Sequence, residues 1–405
     1  MRISTSQYFG MNVQTMDDQQ STLAQLYQQL SSGVSLQTPS DNPVGAAQAV
    51  QLSMQAATLS QYADNQNTAL AHLQAEDSSL TSVSSVLNAI TTQLVHAGDG
   101  SLNDANRGSI ATELQGLRNQ LMGIANGTDG SGNYLYGGYQ ATTAPFSVAP
   151  SGAVQYNGDN GVQNVQVTST RNIPVSDTGQ AVFMSTSTAG SAPVTGGALG
   201  NSGTGAISGV TTNNTTDPTN SDKFTINFTS ATTYTVTDNT ANTTSAPQTY
   251  TAGQPITLGG GGQSVTISGA PNAGDNFTVA PAARTADVFA NLDSVIAALQ
   301  TPVNGQSGQV NLKNALNTAL TQFQNTLNNV TTVQTSVGGR EQEIQALQSI
   351  TLSNNLQTQS NLADLTQTDL TSVISKYTMT QFSLQAAQQG FSMIQKLSLF
   401  DYIGN

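Results

Sequence analysis

The side chains that most often perform catalysis or bind metals are few in this sequence, and they are scattered. The two histidines, His72 and His96, are 24 residues apart on one predicted helix, too far apart to share a metal ion within one chain. Glu76 and Asp77 follow His72 at helical spacing and could complete a ligand trio. A solvated helix face is the favoured interpretation, because Glu76 falls at the edge of an apolar stripe and no pocket is implied.

Other chemical arrangements are also missing. The chain has no cysteine, hence no thiolate nucleophile, sulfur metal ligand or disulfide. The glycine-rich run from Leu258 to Gly262 lacks the lysine and the following helix of a phosphate-binding loop, and it is typical of a β-turn. Asp17, Asp18 and Asp41 form no carboxylate pair of defined spacing. We therefore predict a protein that is not an enzyme and that has no metal or cofactor.

The charge balance narrows the class of partner. The formal net charge is -13, and only 8% of the residues are charged. Such a chain repels phosphate groups, so we predict neither nucleic-acid binding nor membrane binding. No apolar run approaches the ~18 residues of a membrane span, and the sequence does not begin like a cleaved signal peptide. We expect protein partners, and we expect neither a membrane anchor nor export by the general pathway.

Apolar spacing predicts a long helix near the start of the chain. Leucines recur every seven residues from Leu52 to Leu94, with Gln66 as the exception, as in a coiled-coil seam. We expect this helix to begin at Asn42-Pro43, because asparagine caps free amides and proline suits the first helical position. Gly98–Gly100 should end it. At ~1.5 Å per residue it would be roughly 80 Å long.

The C-terminal end shows the same pattern. Val330, Val337 and Ile344 keep one heptad phase, and a second series, which includes Tyr377 and Phe391, follows after a phase shift. Both ends of the chain are therefore predicted to be helical.

The middle of the chain predicts strands instead. From Tyr134 to about Ala283, short alternating runs such as KFTINF indicate antiparallel β-structure. Residues 185–220 are mostly Ser, Thr, Gly and Asn, which favours loops over packed strands.

These patterns together define the predicted fold class and domains. The class is α+β, a long antiparallel helical coiled-coil rod built from both chain ends, with an inserted antiparallel β-rich domain. Pairing the two ends is the simplest arrangement, because each apolar seam needs a partner. The predicted domains are a terminal helical assembly and export region (1–42 and 363–405), a long-helix coiled-coil domain (43–140 and 284–362) and an inserted outer domain (141–283).

Apolar side chains continue to both extremities of the chain, where a single chain offers few layers to cover them. Burying apolar surface contributes about 25 cal/mol per Å², so we favour burial of these residues between subunits. The predicted subunit interface comprises Ile3, Tyr8, Phe9, Met11, Leu23, Leu26, Leu30, Leu370, Val373, Tyr377, Leu384, Phe391, Ile394, Leu397, Leu399, Phe400, Tyr402 and Ile403. The predicted helix-start motif comprises Thr38, Pro39, Ser40, Asp41, Asn42 and Pro43.

Several stretches resemble the bacterial flagellin-related axial proteins. They are MRISTSQYF at the start, LSSGVSLQTPSDNPVGAAQAV from Leu30, GNYLYGGYQATTAPF from Gly132, GAPNAGDNFTV from Gly269 and QAAQQGFSMIQKLSLFDYI near the end. The Thr38–Pro43 segment and the Leu397–Tyr402 segment are more similar to the adapters at the hook-filament junction than to flagellin. Asn42 stands where the family often has aspartate, which keeps the capping role.

The resemblance implies a role and a set of partners. It implies export through the flagellar type III pathway, with a signal that stays on the chain, and a place in the extracellular flagellum at the hook-filament junction. The terminal helices would form the inner tube of the axial structure, with the β domain outside. The implied partners are the first hook-associated protein, flagellin, the filament cap protein and a flagellar export chaperone, and the implied assembly is a homo-oligomeric ring.

Three functions of different classes remain open from the sequence. The first is the structural adapter that joins the hook to the filament. The second is flagellin itself, the filament subunit. The third is a secreted adhesin, suggested by the Thr- and Ser-rich centre, although an adhesin does not explain the paired terminal seams.

Overall fold

The computed structural model describes residues 5–40, 42–186, 190–282 and 286–403, and the side chains of Gln7 and of residues 9–393 within these ranges. The chain divides into two compact units. Unit 1 comprises Met1–Asp64 and Leu347–Asn405, and unit 2 comprises Asn65–Ala346.

Long helices occupy both ends of the chain, as predicted. The described helices are α1 (Thr5–Ser32), α2 (Pro43–Ala97), α3 (Asp104–Ala125), α4 (Gly179–Phe183), α5 (Val288–Gln300), α6 (Gly305–Thr366) and α7 (Leu370–Ile403). The predicted start of the long helix is confirmed, since α2 begins at Pro43 and the Gly45 amide donates to Asn42 Oδ1 at 3.0 Å. Its predicted end is confirmed too, because α2 stops one residue before Gly98. Among the described residues, none of these helices has a stretch apolar enough to span a bilayer.

Unit 1 is built around the packing of α1 on α7. Gly33 ends α1 with a positive φ of 70°, a left-handed conformation that glycine adopts without a Cβ clash. Just beyond it, the Ser35 amide donates to the Thr366 carbonyl at 2.7 Å, and the Thr368 amide donates to the Gly33 carbonyl at 3.0 Å. These bonds join the α1–α2 connection to the α6–α7 connection.

Unit 2 buries the heptad stripes. The α2 leucines from Leu73 to Leu94 have essentially no exposed surface, and neither do Val330, Val337 and Ile344 of α6. α3 packs against α5, where Arg118 pairs with Asp293 at 2.8 Å. An aromatic cluster lies nearby, with ring centroids 5.2 to 6.2 Å apart, and comprises Tyr136, Phe146, Tyr156, Phe183 and Phe289.

The β region also belongs to unit 2, and its pairings are all antiparallel. Its strands are β1 (Phe146–Val148), β2 (Val154–Tyr156), β3 (Asn164–Gln166), β4 (Asn172–Pro174), β5 (Val194–Gly197), β6 (Ala206–Ile207), β7 (Thr211–Thr212), β8 (Phe224–Ser230), β9 (Thr233–Asp238), β10 (Thr243–Thr244), β11 (Gln248–Thr249), β12 (Pro255–Leu258), β13 (Gln263–Ser268) and β14 (Asn276–Ala280). A 3₁₀ turn, Pro218–Ser221, precedes β8. The helical ends with an inserted antiparallel β domain confirm the predicted fold class.

Two larger sheets form the outer part of this insertion. One has the order β10-β9-β8-β14-β5, with β11 also on β9, and the other has the order β12-β13-β6, with β7 also on β13. Alternate residues of β8, β9, β13 and β14 point into a shared core that includes Phe224, Ile226, Phe228, Val265 and Phe277. The glycine run after Leu258 forms the turn between β12 and β13, as predicted.

The prediction of loops between residues 185 and 220 is wrong at three short strands, β5, β6 and β7. β5 is an edge strand that pairs with β14 through Val194 to Gly197, and β6 and β7 both pair with β13. The sequence did not reveal β5, because two of its four residues are glycine and its pairing partner lies about 80 residues further along the chain. Strand identity here depends on a distant neighbour and not on local preference.

Asparagine side chains on α6 hold the backbone that leads into the outer sheets. Asn329 donates to the Val182 carbonyl at 3.1 Å, Asn325 exchanges two bonds of 2.8 Å with Ala192, and Asn314 donates to the Gly205 carbonyl at 3.0 Å. Asn311 donates to the carbonyls of Leu199 and Asn201 at 3.1 and 2.8 Å. We call Asn311, Asn314, Asn325, Asn328 and Asn329 the asparagine row. It satisfies backbone groups that would otherwise lose their hydrogen bonds on burial.

Candidate assembly surface

The terminal helices of unit 1 present one face to each other. Leu26 of α1 and Val373 of α7 are each 8% exposed. The rings of Phe9 and Phe391 meet edge to face with centroids 5.2 Å apart, a favoured geometry for aromatic pairs. One apolar stripe of α7 is therefore covered by α1 of the same chain.

The structure places the other predicted interface residues at different depths. Leu23, Leu30, Tyr377 and Leu384 are half-buried, whereas Met11 and Leu370 are exposed. Ile3 lies outside the described residues. The backbone of α7 continues to Ile403, and the side chains outside the described part are Tyr8, Ile394, Leu397, Leu399, Phe400, Tyr402 and Ile403.

A second apolar stripe runs along α7, and the heptad analysis missed it. Met379, Phe382, Ala386 and Met393 are all exposed, with Phe382 74% exposed and Met379 73% exposed. At 100° per residue these four positions fall within roughly 60° of one another, opposite the stripe that includes Tyr377 and faces α1. We call them the outer stripe of α7. The signal was present in the sequence as spacings of three, four and seven residues.

The parts of α2 and α6 that belong to unit 1 also carry exposed apolar side chains. Val50 and Met54 are exposed on α2, and Leu352 and Leu356 are exposed on α6. Groups of exposed apolar side chains are typical of protein-protein contact surfaces.

The helix-start motif has a local structural role. Asn42 accepts the Gly45 amide with its side chain, and its carbonyl accepts the Ala46 amide at 2.8 Å. A Cβ at position 45 would lie 2.5 Å from Asn42 Nδ2, so this cap requires glycine three residues later. Thr38 and Ser40 share a hydroxyl contact of 2.7 Å, Pro39 and Pro43 are exposed, and Asp41 lies outside the described residues.

The residues examined for chemistry do not converge on a site. His72 Nδ1 lies 3.7 Å from Asp129 Oδ2, and His96 is exposed at the end of α2. Within the described part of the chain, no group of three or more His, Asp or Glu side chains is placed to hold a metal ion.

The predicted solvated face at Glu76 is wrong. Glu76 is only 1% exposed, and its carboxyl accepts the Asp177 amide at 3.0 Å. Burial, together with the charge of Asp177, raises the pKa of Glu76 to about 8. The covering segment lies 101 residues further along the chain, so the spacing around His72 could not reveal it.

Comparison with known proteins shows which proteins this chain resembles. Residues 3–141 match the bacterial flagellin N-terminal helical region. The flagellar hook-associated protein 3 of Salmonella typhimurium is 29% identical over 401 residues, which is 99% of this chain and 99% of that protein. The chain is thus similar to flagellar hook-associated protein 3 over almost its whole length, and its N-terminal third matches the flagellin N-terminal helical region.

A solved structure shows the same similarity. The crystal structure of Xanthomonas campestris FlgL has 27% sequence identity and a TM-score of 0.68, and the match covers 76% of this chain and 98% of that one. By contrast, the flagellar filament 41 kDa core protein of Borreliella burgdorferi is 31% identical over 104 residues, 26% of this chain and 31% of that protein. Similarity to hook-associated protein 3 thus spans the whole chain, and similarity to the filament protein does not.

Proposed function

We propose that this protein is a structural adapter of the bacterial flagellum that joins the hook to the flagellin filament through its terminal helices. The observation that carries the assembly mechanism is the pair of opposite apolar stripes on α7. A helix that is apolar on two faces needs cover on both, and α1 covers only the stripe that includes Val373. The outer stripe of α7 is then available to a neighbouring subunit.

The subunit interface that we propose comprises the predicted terminal residues together with the outer stripe. Fully burying a Phe or Met side chain contributes about 2 kcal/mol, so Met379, Phe382 and Met393 together supply a substantial drive for association. Exposed apolar side chains on α2 and α6, such as Met54 and Leu356, offer the same kind of surface. Removal of one large side chain from the centre of such a surface should weaken assembly.

The partners we propose follow from the similarity to flagellar hook-associated protein 3. They are the first hook-associated protein on the hook side, flagellin and the filament cap protein on the filament side, further copies of this chain in a ring, and an export chaperone before assembly. We also propose export by the flagellar type III pathway and an extracellular place at the junction. The net charge of -13 agrees with protein contacts in preference to nucleic acid or membrane.

Gene deletion tests the adapter role. A strain without this protein should keep its hooks, lack filaments and release unpolymerised flagellin into the medium, and the wild-type gene should restore filaments. Normal filaments in the deletion strain would contradict the adapter role. Growth of long filaments from the purified protein alone would favour the flagellin alternative.

A pair of variants tests the interface. Phe382→Asp should block filament growth, because it places a charge in the outer stripe, while circular dichroism of the purified variant stays unchanged. Gln385→Asp is the matched control, since Gln385 is exposed on the same helix but lies off that stripe. Wild-type motility with Phe382→Asp would remove the outer stripe from the interface.

A further inference from the structure

One segment of unit 2 fastens α2 to α6. It begins with the β3–β4 hairpin and ends at Asp177, and we call residues 164–177 the clasp. Val167, Ile173 and Val175 anchor it as buried side chains. Its remaining contacts are polar, and they reach both long helices.

The side chains of α2 form hydrogen bonds with backbone groups of the clasp. Asn65 donates to the Gln166 carbonyl at 2.8 Å, and Gln66 donates to the Val167 carbonyl at 2.8 Å. Almost three turns further along α2, Glu76 accepts the Asp177 amide. Both ends of the clasp are thus attached to this helix.

The contacts to α6 carry charge. Arg340 donates to the Pro174 carbonyl at 3.1 Å and also pairs with the Asp177 carboxylate. Arg171, near the hairpin turn, forms two bonds with Glu343 at 2.6 and 2.9 Å, and they hold the pKa of Glu343 below its usual range. The clasp therefore spans α2 and α6 through one buried acid and two arginines.

Glu76 is the member of this cluster that is poorly suited to carry a charge. One oxygen, Oε1, accepts the Asp177 amide, while Oε2 is buried with no hydrogen-bond partner among the described residues. The groups facing it are the Asp177 carboxylate, the Arg340 guanidinium that Asp177 already occupies, and the hydroxyl of Tyr136, which donates to Ser79.

Two further acids lie in the same region. Asp77 on α2 raises the pKa of Glu341 on α6, although burial of Glu341 is the larger cause. An ionised Glu76 would thus add a negative charge where only Arg340 opposes it. A protonated Glu76 avoids that charge and can donate to the carboxylate of Asp177.

We propose that the protonation state of Glu76 controls whether the clasp holds α2 and α6 together. The clasp is attached to both helices while Glu76 is protonated, and it opens locally when Glu76 ionises. Opening separates Asp177 from Glu76 and releases the hairpin that carries Arg171. The hairpin is a good candidate for local opening, because β3 and β4 are three residues each and pair only with one another.

Trypsin cleavage after Arg171 reports opening, since proteolysis requires several residues of locally unfolded chain. Cleavage after Lys223, which is exposed before β8, provides a reference within the same digest, so the pH dependence of trypsin itself cancels. In the wild type, the ratio of Arg171 cleavage to Lys223 cleavage should rise about tenfold from pH 7 to pH 9. This follows because the ionised fraction of a group with pKa about 8 rises from about one-tenth to about nine-tenths.

Two variants separate the proposal from a general effect of alkali. Glu76→Gln should hold the ratio flat near its value at pH 7, and Glu341→Gln, the matched control, should keep the tenfold rise. A constant ratio in the wild type, or an undiminished rise in Glu76→Gln, would overturn the proposal.

A third variant covers the case in which Glu76→Gln does not fold. Asp177→Asn retains Glu76 but removes the neighbouring negative charge, so the rise in the cleavage ratio should move to lower pH. An unchanged midpoint in Asp177→Asn would also overturn the proposal. Circular dichroism at each pH distinguishes local opening from global unfolding.

Discussion

Asn314 offers a quantitative test of how the asparagine row supports the outer sheets. Its side chain is fully buried, its amide nitrogen donates to the Gly205 carbonyl at 3.0 Å, and its oxygen accepts the Ile207 amide at 3.2 Å. Asn314→Ala removes both partners at once. Gly197 also packs closely on this amide, since a Cβ at that position would lie 2.8 Å from Asn314 Nδ2.

The expected cost follows from the two orphaned groups. A buried donor or acceptor without its partner costs about 1–3 kcal/mol, and alanine returns up to about 0.7 kcal/mol of helix propensity. The net loss should be about 3 kcal/mol. For a unit of this size, 1 kcal/mol corresponds to roughly 2–4 °C in Tm, so unit 2 should melt about 8 °C lower.

Asn328→Ala provides the matched control. Asn328 lies on the same helix and donates one bond of 3.1 Å to the Gly190 carbonyl, but it is exposed. It gains the same helix propensity and should lose less than about 0.5 kcal/mol, because water replaces its bond. Hydrogen exchange at the Ile207 amide should accelerate in Asn314→Ala alone. Equal unfolding free energies for the two alanine variants would refute the role assigned to the row.

Three further predictions concern single groups. Because the pKa of Glu76 is raised, its contribution to wild-type stability should be greatest below pH 4.5 and fall as the pH rises to about 8, by at most about 5 kcal/mol at 1.36 kcal/mol per pH unit. Urea unfolding of Glu76→Gln at pH 5 and pH 8 should lack this part of the pH dependence. Arg118→Met should cost about 2 kcal/mol, because buried Arg118 pairs with Asp293 and donates to the Gly152 carbonyl at 3.0 Å; thermal unfolding measures it, and no change would show that the pair is neutral. Asn42→Ala should cost about 1 kcal/mol by removing the cap of α2, and it should speed hydrogen exchange at Gly45, whereas unchanged exchange there would argue against the cap.

The helix boundaries were predictable because their causes are local. Asn42 and Pro43 start α2 by capping and by a fixed φ, and both effects act within a few residues. Gly98 comes directly after its last turn. The heptad leucines from Leu73 to Leu94 are buried as expected, whereas Leu52 and Leu59 are half-buried. A seven-residue repeat needs only a facing helix and no particular partner.

The environment of Glu76 was not predictable from its neighbours. Its position beside a coiled-coil seam allowed either a solvated or a buried side chain. The clasp buries it, and the contacting residue lies 101 residues further along the chain. The asparagine row has the same character. Asn314 reads as an ordinary polar helix residue until Gly205 and Ile207, more than 100 residues before it, are placed against it.

The terminal helices show why a heptad search found only part of the candidate surface. A search for a partner seam selects the stripe that includes Tyr377 and Leu384, and α1 of the same chain lies against that stripe. Phe391 is engaged there with Phe9. Its substitution would therefore disturb the α1–α7 pair first, and any effect on assembly would be indirect.

The outer stripe differs from the stripe that faces α1 in its exposure. Phe382 is 74% exposed among the described residues, so its substitution leaves the α1–α7 packing intact. If assembly depends on the outer stripe, the isolated chain can keep α1 and α7 paired while a second apolar face stays exposed until a neighbouring subunit binds. Folding of unit 1 and its association then draw on opposite faces of one helix, which separates the residues that stabilise the subunit from those that join it to others.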